Sequence, residues 1–469
     1  MKRRLHILLI LFFVSHNIIG QSLEWQTTGM PFYGRQVRNI YTDTLNNVLF
    51  VTGEIMATPS SFSTQYICKY DGTTWTNIGV FNGQVLSVAN YNGDLIVAGF
   101  FSLINGLPFF SIARYDGTNF YSMGNFDQEV TQLKVINSDL YAMGWFSQVD
   151  GISARRIAKW NGSVWTDVNG FYADTLDGHI NDVVIYGGNT YVCGNFVNSL
   201  DGINHVAVYK GGIWQNVGGG ILGGWTDLAR LLVYKNELYM AGSIIKPDGN
   251  VGHMIQKWND TIWSEVGAGV RDITGGYGFC TIRDMIVHNN ELYIAGGFGY
   301  AGNVPATFIS KWDGLKWCGF VTKDLFTLGA GAQGGTAINF YNDTLYLGIG
   351  NDTLNGVFTN RILKYMAGTY NDTCSINFTG IEQLTIENEI NLYPNPSSNE
   401  ITLEFNLTKQ EVISFEIRNI LGQIVYSNQN QLLQGKQKLE IDVSSFSNGI
   451  YFLQMQNGNN QSSIKFVKQ

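Results

Sequence analysis

Short apolar stretches recur along most of the chain, and turns rich in glycine, asparagine and aspartate separate them. Within residues 85–124 this pattern predicts four strands: Val85–Tyr91, Asp94–Phe100, Ser111–Tyr115 and Asn119–Met123. Asn92-Gly93 and Asp116-Gly117 have the residue types of two-residue hairpin turns. The strands are apolar at both parities, which predicts sheets that are covered on both faces.

Three markers repeat together with spacings of 45–54 residues. A glycine ends the second strand at Gly53, Gly99, Gly144, Gly194, Gly242, Gly296 and Gly348. An aromatic residue ends the third strand at Tyr70, Tyr115, Trp160, Tyr209, Trp258, Trp312 and Tyr365. A second aromatic follows five residues later at Trp75, Phe120, Trp165, Trp214, Trp263, Trp317 and Tyr370. Seven four-stranded copies predict an all-β fold, a seven-bladed β-propeller over residues 21–370.

The ends of a propeller ring have to be joined. The last copy ends weakly at Tyr370, whereas Leu23–Gly29 resembles an outer strand such as Ile213–Gly218. We therefore expect the N-terminal segment to complete the last blade, which would remove an exposed sheet edge.

This arrangement resembles kelch and galactose-oxidase-like propellers, and more closely the Rax2-like repeats of surface proteins, over residues 23–370. The copper-binding pattern of galactose oxidase cannot be placed on this sequence. The G-x-G-x-x-G match at 329–334 has no helix after it, and His205 and His253 have no third ligand in view. The sequence therefore predicts no catalytic residues, no metal and no cofactor.

Both termini bear on the destination of the protein. Residues 1–20 have the basic start, apolar run and small residue before the cut of a signal peptide. No later segment is long and apolar enough to span a membrane. Without residues 1–20 the chain has 26 basic and 37 acidic residues, a net charge of −11, which disfavours nucleic acid as a partner. The five cysteines include no C-x-x-C pair and are expected to be structural and unpaired.

The composition changes after Tyr370, and residues 371–389 are predicted to be a linker. Residues 390–469 alternate apolar and polar positions, as in Ile401–Phe405 and Ile413–Ile417, which predicts a small Ig-like β-sandwich. This segment resembles the type A sorting domain of the type IX secretion system of Bacteroidota. The matching residues are Tyr393, Pro394, Asn395, Pro396, Gly422, Gly449, Tyr451, Lys465 and Lys468. The resemblance implies export by that machinery and a secreted, extracellular or outer-membrane surface location.

Because strands alternate in direction, the two hairpin turns of each copy share one face of the ring, called here the short-turn face. The opposite face, called the long-loop face, has the second-to-third loops and the connections between copies. Variable loops on a rigid scaffold commonly carry recognition. The aromatic and acidic residues of the long connections are therefore candidate ligand-binding residues: Tyr172, Asp174, Asp177, Trp225, Asp227, Asp272 and Tyr277.

The leading hypothesis is a surface propeller that binds a polymer or protein, with carbohydrate as one class of ligand, through this face. The alternatives are a polysaccharide-active hydrolase or lyase and a structural surface-layer component. A row of basic residues precedes the third-strand aromatic at Lys69, Arg114, Lys159, Lys257, Lys311 and Lys364. Acidic residues at the neighbouring hairpin predict local ion pairs there and not an anion site.

Overall fold

The chain divides into two compact units, Met1–Asp372 and Thr373–Gln469. The computed structural model describes residues 25–58, 65–171, 178–199, 201–223, 229–272, 275, 280–319, 334–354, 357–365, 391–407, 410–419, 423–432, 434–457 and 460–469. The predicted signal peptide and linker lie outside these residues. Across the described ranges the structure is all-β apart from one short 3₁₀ helix, Lys246–Asp248.

The first described strand, β1 (Trp25–Thr27), belongs to the last sheet of the first unit. Sheet 1 is formed by β2 (Tyr33–Asp43), β3 (Val48–Met56), β4 (Gln65–Tyr70) and β5 (Trp75–Phe81). Sheet 2 is formed by β6 (Val85–Tyr91), β7 (Asp94–Gly99), β10 (Ile112–Tyr115) and β11 (Phe120–Ser122). The short strands β8 (Leu103–Ile104) and β9 (Leu107–Pro108) extend the edge of sheet 1 beyond β5. The strands of sheet 2 agree with the prediction to within about one residue at each end.

Four further sheets repeat the same antiparallel order. Sheet 3 has β12 (Val130–Ile136), β13 (Asp139–Gly144), β16 (Ile157–Trp160) and β17 (Trp165–Asp167). Sheet 4 has β18 (His179–Tyr186), β19 (Asn189–Asn198), β20 (Ile203–Lys210) and β21 (Ile213–Asn216). Sheet 5 has β22 (Arg230–Tyr234), β23 (Glu237–Ala241), β24 (Ile255–Trp258) and β25 (Trp263–Glu265). Sheet 6 has β27 (Thr281–His288), β28 (Glu291–Gly297), β31 (Ile309–Trp312) and β32 (Trp317–Gly319).

Sheet 7 joins the two ends of the unit. Its strands are β33 (Gly335–Tyr341), β34 (Thr344–Ile349), β37 (Ile362–Tyr365) and β1. Trp25 pairs with Tyr365 and Thr27 with Leu363. The expected pairing of the N-terminal segment is therefore confirmed over Trp25–Thr27. Trp25 occupies the outer-strand aromatic position, which the repeat had placed at Tyr370, because Trp25 faces Tyr365 as Trp165 faces Trp160.

The remaining strands of the first unit are short pairs and triplets in loops: β14 (Gln148–Val149) with β15 (Ile152–Ser153), β26 (Val270–Arg271) with β29 (Tyr300–Ala301) and β30 (Val304–Pro305), and β35 (Thr353–Leu354) with β36 (Val357–Phe358).

The first strands of the seven sheets contact one another in cyclic order. Each contacts the first strand of the next sheet, and β33 of sheet 7 contacts β2 of sheet 1. Apolar side chains from adjacent sheets form shared cores. One such core joins Ile96 and Ile112 of sheet 2 to Leu133 and Leu140 of sheet 3. Coverage on both faces explains why the strands are apolar at both parities.

In five sheets the outer-strand tryptophan ties its sheet to the preceding one. The indole N–H of Trp263 donates to Val217 O at 2.9 Å, and that of Trp317 donates to Val266 O at 3.1 Å. The indole N–H of Trp75 donates to Thr28 O at 3.0 Å, so the same contact recurs where sheet 1 meets the N-terminal strand of sheet 7.

The repeated glycines are explained by a β-bulge in the first strand. In sheet 2 Val85 pairs with Gly99 and Ser87 with Ala98, which leaves Leu86 as the extra residue. A Cβ atom on Gly99 would lie 2.1 Å from the Gln84 carbonyl oxygen, so no other residue fits there. Gly348 is not equivalent to these glycines. It pairs with Ile362 as Ala98 pairs with Ile112, so the repeat marker was wrong by one residue in sheet 7.

The first hairpin turn has the predicted form, but the second is displaced. Asn92 and Gly93 have φ values of 53° and 93°. In the second turn the Asp116 N–H donates to Asn119 O at 3.2 Å, which makes Gly117 and Thr118 the central residues, and the prediction of Asp116-Gly117 was wrong by one position. Asp116 instead caps the turn, because its Oδ1 accepts the N–H groups of Thr118 and Asn119, both at 2.8 Å.

The second unit contains two antiparallel sheets. One is formed by β38 (Asn391–Tyr393), β39 (Glu400–Leu407) and β42 (Gly435–Asp442). The other is formed by β40 (Glu411–Asn419), β41 (Ile424–Leu432), β43 (Gly449–Asn457) and β44 (Asn460–Lys468). Ile401 and Leu403 of the first sheet share one core with Phe415 and Leu453 of the second.

Candidate functional site: a cavity at the start of the first strands

A cavity of about 450 Å³ lies where the first strands of the seven sheets begin. Each of these strands contributes at least one residue to the lining of the cavity. The connections between sheets lead into these strand starts. The cavity therefore lies on the long-loop face, which the sequence had indicated as the recognition face.

The bulges place most of the lining side chains. Six residues that are extra in their strands line the cavity: Arg38, Leu86, Thr131, Asn181, Arg283 and Thr336. A bulge redirects the side chain of its extra residue, so one local irregularity repeated around the ring turns six side chains toward a common centre. In sheet 5 the first residue of β22, Arg230, takes part in the lining.

Three arginines give the cavity a positive charge. Arg38, Arg230 and Arg283 line it, and none of its described lining residues is acidic. Burial lowers the pKa of Arg38, and the nearby charge of Glu54 partly offsets this effect. Burial also lowers the pKa of Arg283, as does the charge of Arg38, so these two cations lie close enough to repel each other.

Acidic groups lie next to the cavity but have their own partners. Glu54 accepts from Gln84 Nε2 at 2.7 Å and forms a 3.1 Å ion pair with Arg35. Asp182 is 3% exposed; it accepts Lys134 Nζ at 2.7 Å and the Leu231 N–H at 2.9 Å, which links sheets 3, 4 and 5.

Asp284 joins the next pair of sheets in the same way. It accepts the Ile338 N–H at 2.9 Å, which links sheets 6 and 7. Burial raises the pKa of Asp284, and the Arg230 charge lowers it in part. These buried carboxylates hold the first strands together and do not line the cavity.

Neutral polar groups and one aromatic pair complete the lining. Gln36, Gln84 and Gln132 contribute amides. Trp145, at the start of a second-to-third loop, stacks on the His179 ring with centroids 4.3 Å apart. Thr336 is 8% exposed, and its Oγ1 has no hydrogen-bond partner among the described residues. A buried hydroxyl of this kind commonly indicates a ligand or a water molecule.

Of the seven ligand residues predicted from the sequence, Asp272 lies within the described ranges. Tyr172, Asp174, Asp177, Trp225, Asp227 and Tyr277 lie outside the described residues. Asp272 is described, and it does not line the cavity. Burial raises the pKa of Cys280 and the Asp272 charge raises it further, whereas burial lowers the pKa of His253 and the Asp272 charge partly offsets that effect.

His253 and Cys280 form a buried pair that lacks the properties of a nucleophilic site. Cys280 Sγ lies 3.4 Å from His253 Nε2. His253 Nδ1 accepts the Lys246 N–H at 3.2 Å, so the neutral ring carries its proton on Nε2, facing the sulfur, and cannot take a proton from it. Burial raises the pKa of Cys280 to about 12, which keeps the thiol protonated. Among the described residues no group of three or more His, Cys, Asp or Glu side chains could hold a metal ion.

The cysteine prediction is correct at three positions and wrong at one. Cys68, Cys193 and Cys280 are free and buried. Cys318 is disulfide-bonded, so the expectation of unpaired cysteines was wrong at this position.

The predicted ion pairs on the short-turn face are confirmed in four sheets. They are Arg114–Asp94 at 2.6 Å, Lys159–Asp139 at 3.2 Å, Lys257–Glu237 at 2.7 Å and Lys311–Glu291 at 2.8 Å. In sheet 7 the predicted acid, Asp343, lies 3.3 Å from His288 Nε2 instead.

In the second unit the Tyr393–Pro396 segment fastens the last strand. Asn395 Nδ2 donates to Lys465 O at 3.3 Å, and Asn395 Oδ1 accepts the Val467 N–H at 3.0 Å. Both X–Pro peptide bonds of this segment are cis. The segment and the end of the chain, far apart in sequence, therefore form one structural feature.

The other matching residues lie around the same strand. Gly449 begins β43, and the Tyr451 ring stacks on Phe466 of β44 with centroids 5.6 Å apart. Lys465 is exposed, whereas Lys468 is 7% exposed. Gly422 lies outside the described residues.

The chain is similar to several solved glycoside hydrolases. An arabinoxylan arabinofuranohydrolase of glycoside hydrolase family 43 from Bacillus subtilis is 12% identical, with a TM-score of 0.26 over 94% of this chain and 96% of that chain. An exo-β-1,3-galactanase from Phanerochaete chrysosporium is 7% identical, with a TM-score of 0.24 over 95% of this chain and 99% of that chain. These scores are too low to assign a fold or an activity. No match is found among curated proteins.

One family model matches the chain, and it covers the second unit. Residues 391–469 match the secretion system C-terminal sorting domain. No helix in the described part of the chain is long and apolar enough to cross a membrane. The sorting domain implies interaction with the type IX secretion machinery. The protein is therefore a cargo of the type IX secretion system, which exports it to the cell surface or the extracellular space.

Proposed function

We propose that the first unit is a seven-bladed β-propeller spanning residues 21–370, similar to kelch and Rax2-like repeats. Sheets 1 to 7 would be the blades, and their first strands would surround the central axis. The cyclic contacts of these strands and the pairing of β1 with β37 support this arrangement. We further propose that 371–389 is a linker and that 390–469 is an Ig-like sandwich.

The function we propose is the binding of a polymer or protein ligand outside the cell through the long-loop face. The observation that carries this proposal is the 450 Å³ cavity at the start of the first strands. Its volume lies within the range of about 300–1,000 Å³ that is typical of ligand sites, and its polar groups converge from all seven sheets. A rigid ring with variable loops around its centre is a scaffold suited to recognition.

The long connections extend this site in our proposal. Asp177 precedes the lining residue His179 by two positions in the sequence, and Asp227 precedes Arg230 by three. Tyr172, Asp174, Trp225 and Tyr277 belong to the same connections. We propose that these residues form the rim around the cavity.

The test is a glycan array, with a protein-ligand screen beside it, on the mature protein and two variants. Trp145→Ala removes the aromatic residue of the cavity. Tyr121→Ala removes an aromatic ring that is 41% exposed in β11, away from the cavity, and serves as the matched control. We expect Trp145→Ala to weaken binding at least tenfold and Tyr121→Ala to leave it unchanged. Binding that is insensitive to Trp145→Ala would contradict a site at the cavity.

A polysaccharide-active hydrolase or lyase is the second candidate. Glycoside cleavage commonly needs two carboxylates about 5–10 Å apart, and the described cavity lining contributes basic and neutral groups. Acidic residues of the connections, such as Asp174 and Asp177, would have to supply them. Product release from the ligands found on the array, measured by mass spectrometry, would favour this candidate. A surface-layer role is favoured if neither binding nor cleavage occurs.

For export we propose that residues 1–20 act as a signal peptide and that the second unit directs passage across the outer membrane. Residues 385–469 fused to a fluorescent reporter should take the reporter to the cell surface or the medium in a bacterium with this system. Retention of the reporter in the periplasm would refute this role of the segment.

A further inference from the structure

We propose that the cavity binds an acidic saccharide, a hydroxyl-rich ligand that carries a carboxylate or sulfate group. The inference rests on the function proposed above and specifies the chemistry of the ligand. The protein has a net charge of −8, yet three arginines line the cavity on its long-loop face.

The arginines concentrate positive charge at the cavity. The charge of Arg38 acts on Arg283, and the protein around both removes part of their hydration. Like charges that share a site destabilise each other, and partial burial strengthens the effect. Acids outside the lining balance part of this charge, since Glu54 acts on Arg38 and Asp284 interacts with Arg230, but no described lining residue is acidic. An oxyanion in the cavity would relieve the repulsion.

Guanidinium groups also fit the shape of the proposed group. Their planar fork matches the two oxygens of a carboxylate or two oxygens of a sulfate. Arg38 lies in sheet 1, Arg230 in sheet 5 and Arg283 in sheet 6, so the cations come from within four consecutive sheets of the cyclic order. This grouping favours an anionic group bound on that side of the cavity.

The rest of the lining favours a hydroxyl-rich ligand. Amides of Gln36, Gln84 and Gln132 can both donate and accept hydrogen bonds, as sugar hydroxyls require. The buried Thr336 hydroxyl, which has no partner among the described residues, faces the same space. Trp145 offers an aromatic surface of the kind on which sugar rings stack. A protein partner would need a wider contact area than a cavity of this size provides.

The experiment is isothermal titration calorimetry on the mature protein. The probes are trigalacturonate, a sulfated galactotriose, neutral galactotriose, and the free anions sulfate and acetate. The variants are Arg38→Gln and Arg283→Gln, each of which removes one cavity charge. Arg114→Gln is the matched control because it removes one arginine charge on the short-turn face, where Arg114 pairs with Asp94.

We expect at least one acidic trisaccharide to bind and neutral galactotriose to bind at least tenfold more weakly. Each cavity variant should weaken the acidic trisaccharide about 10- to 100-fold, which is the typical worth of a charge-assisted hydrogen bond, and Arg114→Gln should have no effect. Raising NaCl from 50 to 500 mM should weaken binding to the wild-type protein, a readout that does not depend on the folding of a variant.

Three results would overturn the inference. They are equal binding of the neutral and acidic trisaccharides, no binding of either acidic trisaccharide, and free sulfate or acetate binding as tightly as the saccharides. A ligand from the array whose binding is lost in Trp145→Ala but unchanged in both arginine variants would also overturn it, while leaving the proposed function intact.

Discussion

Ring closure by the N-terminal strand makes a quantitative prediction about stability. The Trp25 side chain is fully buried and packs edge-to-face on Tyr365 with centroids 5.2 Å apart. Its cluster includes Ile309 of sheet 6 and Leu347 of sheet 7, so it fills the core between these sheets. Truncation of a buried tryptophan to alanine costs about 3–5 kcal/mol. With an unfolding entropy of about 2.1 cal/mol/K per residue over 25–365, Trp25→Ala should lower Tm by about 4–7 °C.

Deletion of residues 21–30 should lower Tm further, because it removes the whole of β1 and exposes the edge of β37. The measurement is differential scanning calorimetry of the mature protein. Trp165→Ala is the matched control, since Trp165 is 1% exposed and holds the equivalent position within sheet 3. Both tryptophan variants should lose similar stability, and only the N-terminal deletion should add proteolytic cleavage near residues 362–365. An unchanged Tm after the deletion would refute closure of the ring by this strand.

Three further predictions concern other parts of the molecule. Asp182→Asn should destabilise the first unit by about 2–3 kcal/mol, measured by chemical denaturation. This is less than the loss of a fully buried ion pair would cost, because the Lys134 side chain is 29% exposed. Adding Lys134→Met should restore part of the lost stability, and an unchanged denaturation midpoint in Asp182→Asn would contradict the linking role of Asp182. Burial lowers the pKa values of His205 and His253, so near pH 6.5 the unfolded chain binds protons that the folded protein does not. The Tm should therefore fall as the pH is lowered from 7.5 to 5.5, and it should fall less steeply in His205→Gln. Equal slopes of Tm against pH in the wild type and the variant would argue against this linkage. Asn395→Ala should reduce the fraction of the protein that is exposed on the cell surface in a protease-shaving assay, because the variant loses both side-chain hydrogen bonds to β44. Exchange of the exposed Lys465 for glutamine is the control, since it should leave these hydrogen bonds intact. Export of Asn395→Ala at the wild-type level would show that this contact is not needed for sorting.

The sheet order was predictable because each repeat marker has a strict physical cause. Gly99 and its equivalents cannot carry a Cβ atom, and the outer-strand tryptophans donate to a carbonyl of the preceding sheet. Such constraints recur from sheet to sheet and leave a period in the sequence, although sheet 7 has Ile349 at the glycine position. The N-terminal strand was recognisable because Trp25 faces the third-strand aromatic Tyr365, as the other outer-strand aromatics face theirs.

The cavity was missed because its residues obey no common chemical rule. The bulge positions hold arginine, leucine, threonine and asparagine in different sheets, as in Arg38, Leu86, Thr131 and Asn181. Their shared signal is position, since Leu86, Thr131, Asn181 and Arg283 each precede the repeat glycine by 13 residues. Alignment of the copies on that glycine would have revealed Arg283 at this position, but not Arg38 or Arg230, which precede Gly53 and Gly242 by 15 and 12 residues. The bulge itself leaves no mark in the apolar pattern, so the side-chain direction could not be predicted.

The pairing of β1 with β37 also sets the order in which the protein can be completed. Trp25 is among the first residues of the mature chain to be made, and its partner Tyr365 follows 340 residues later. Until then β1 has no partner strand, and the core around Trp25 stays open. The sorting domain begins only after this partner, at residue 391. The first unit can therefore close only after nearly all of its residues have been synthesised, shortly before the sorting domain is complete.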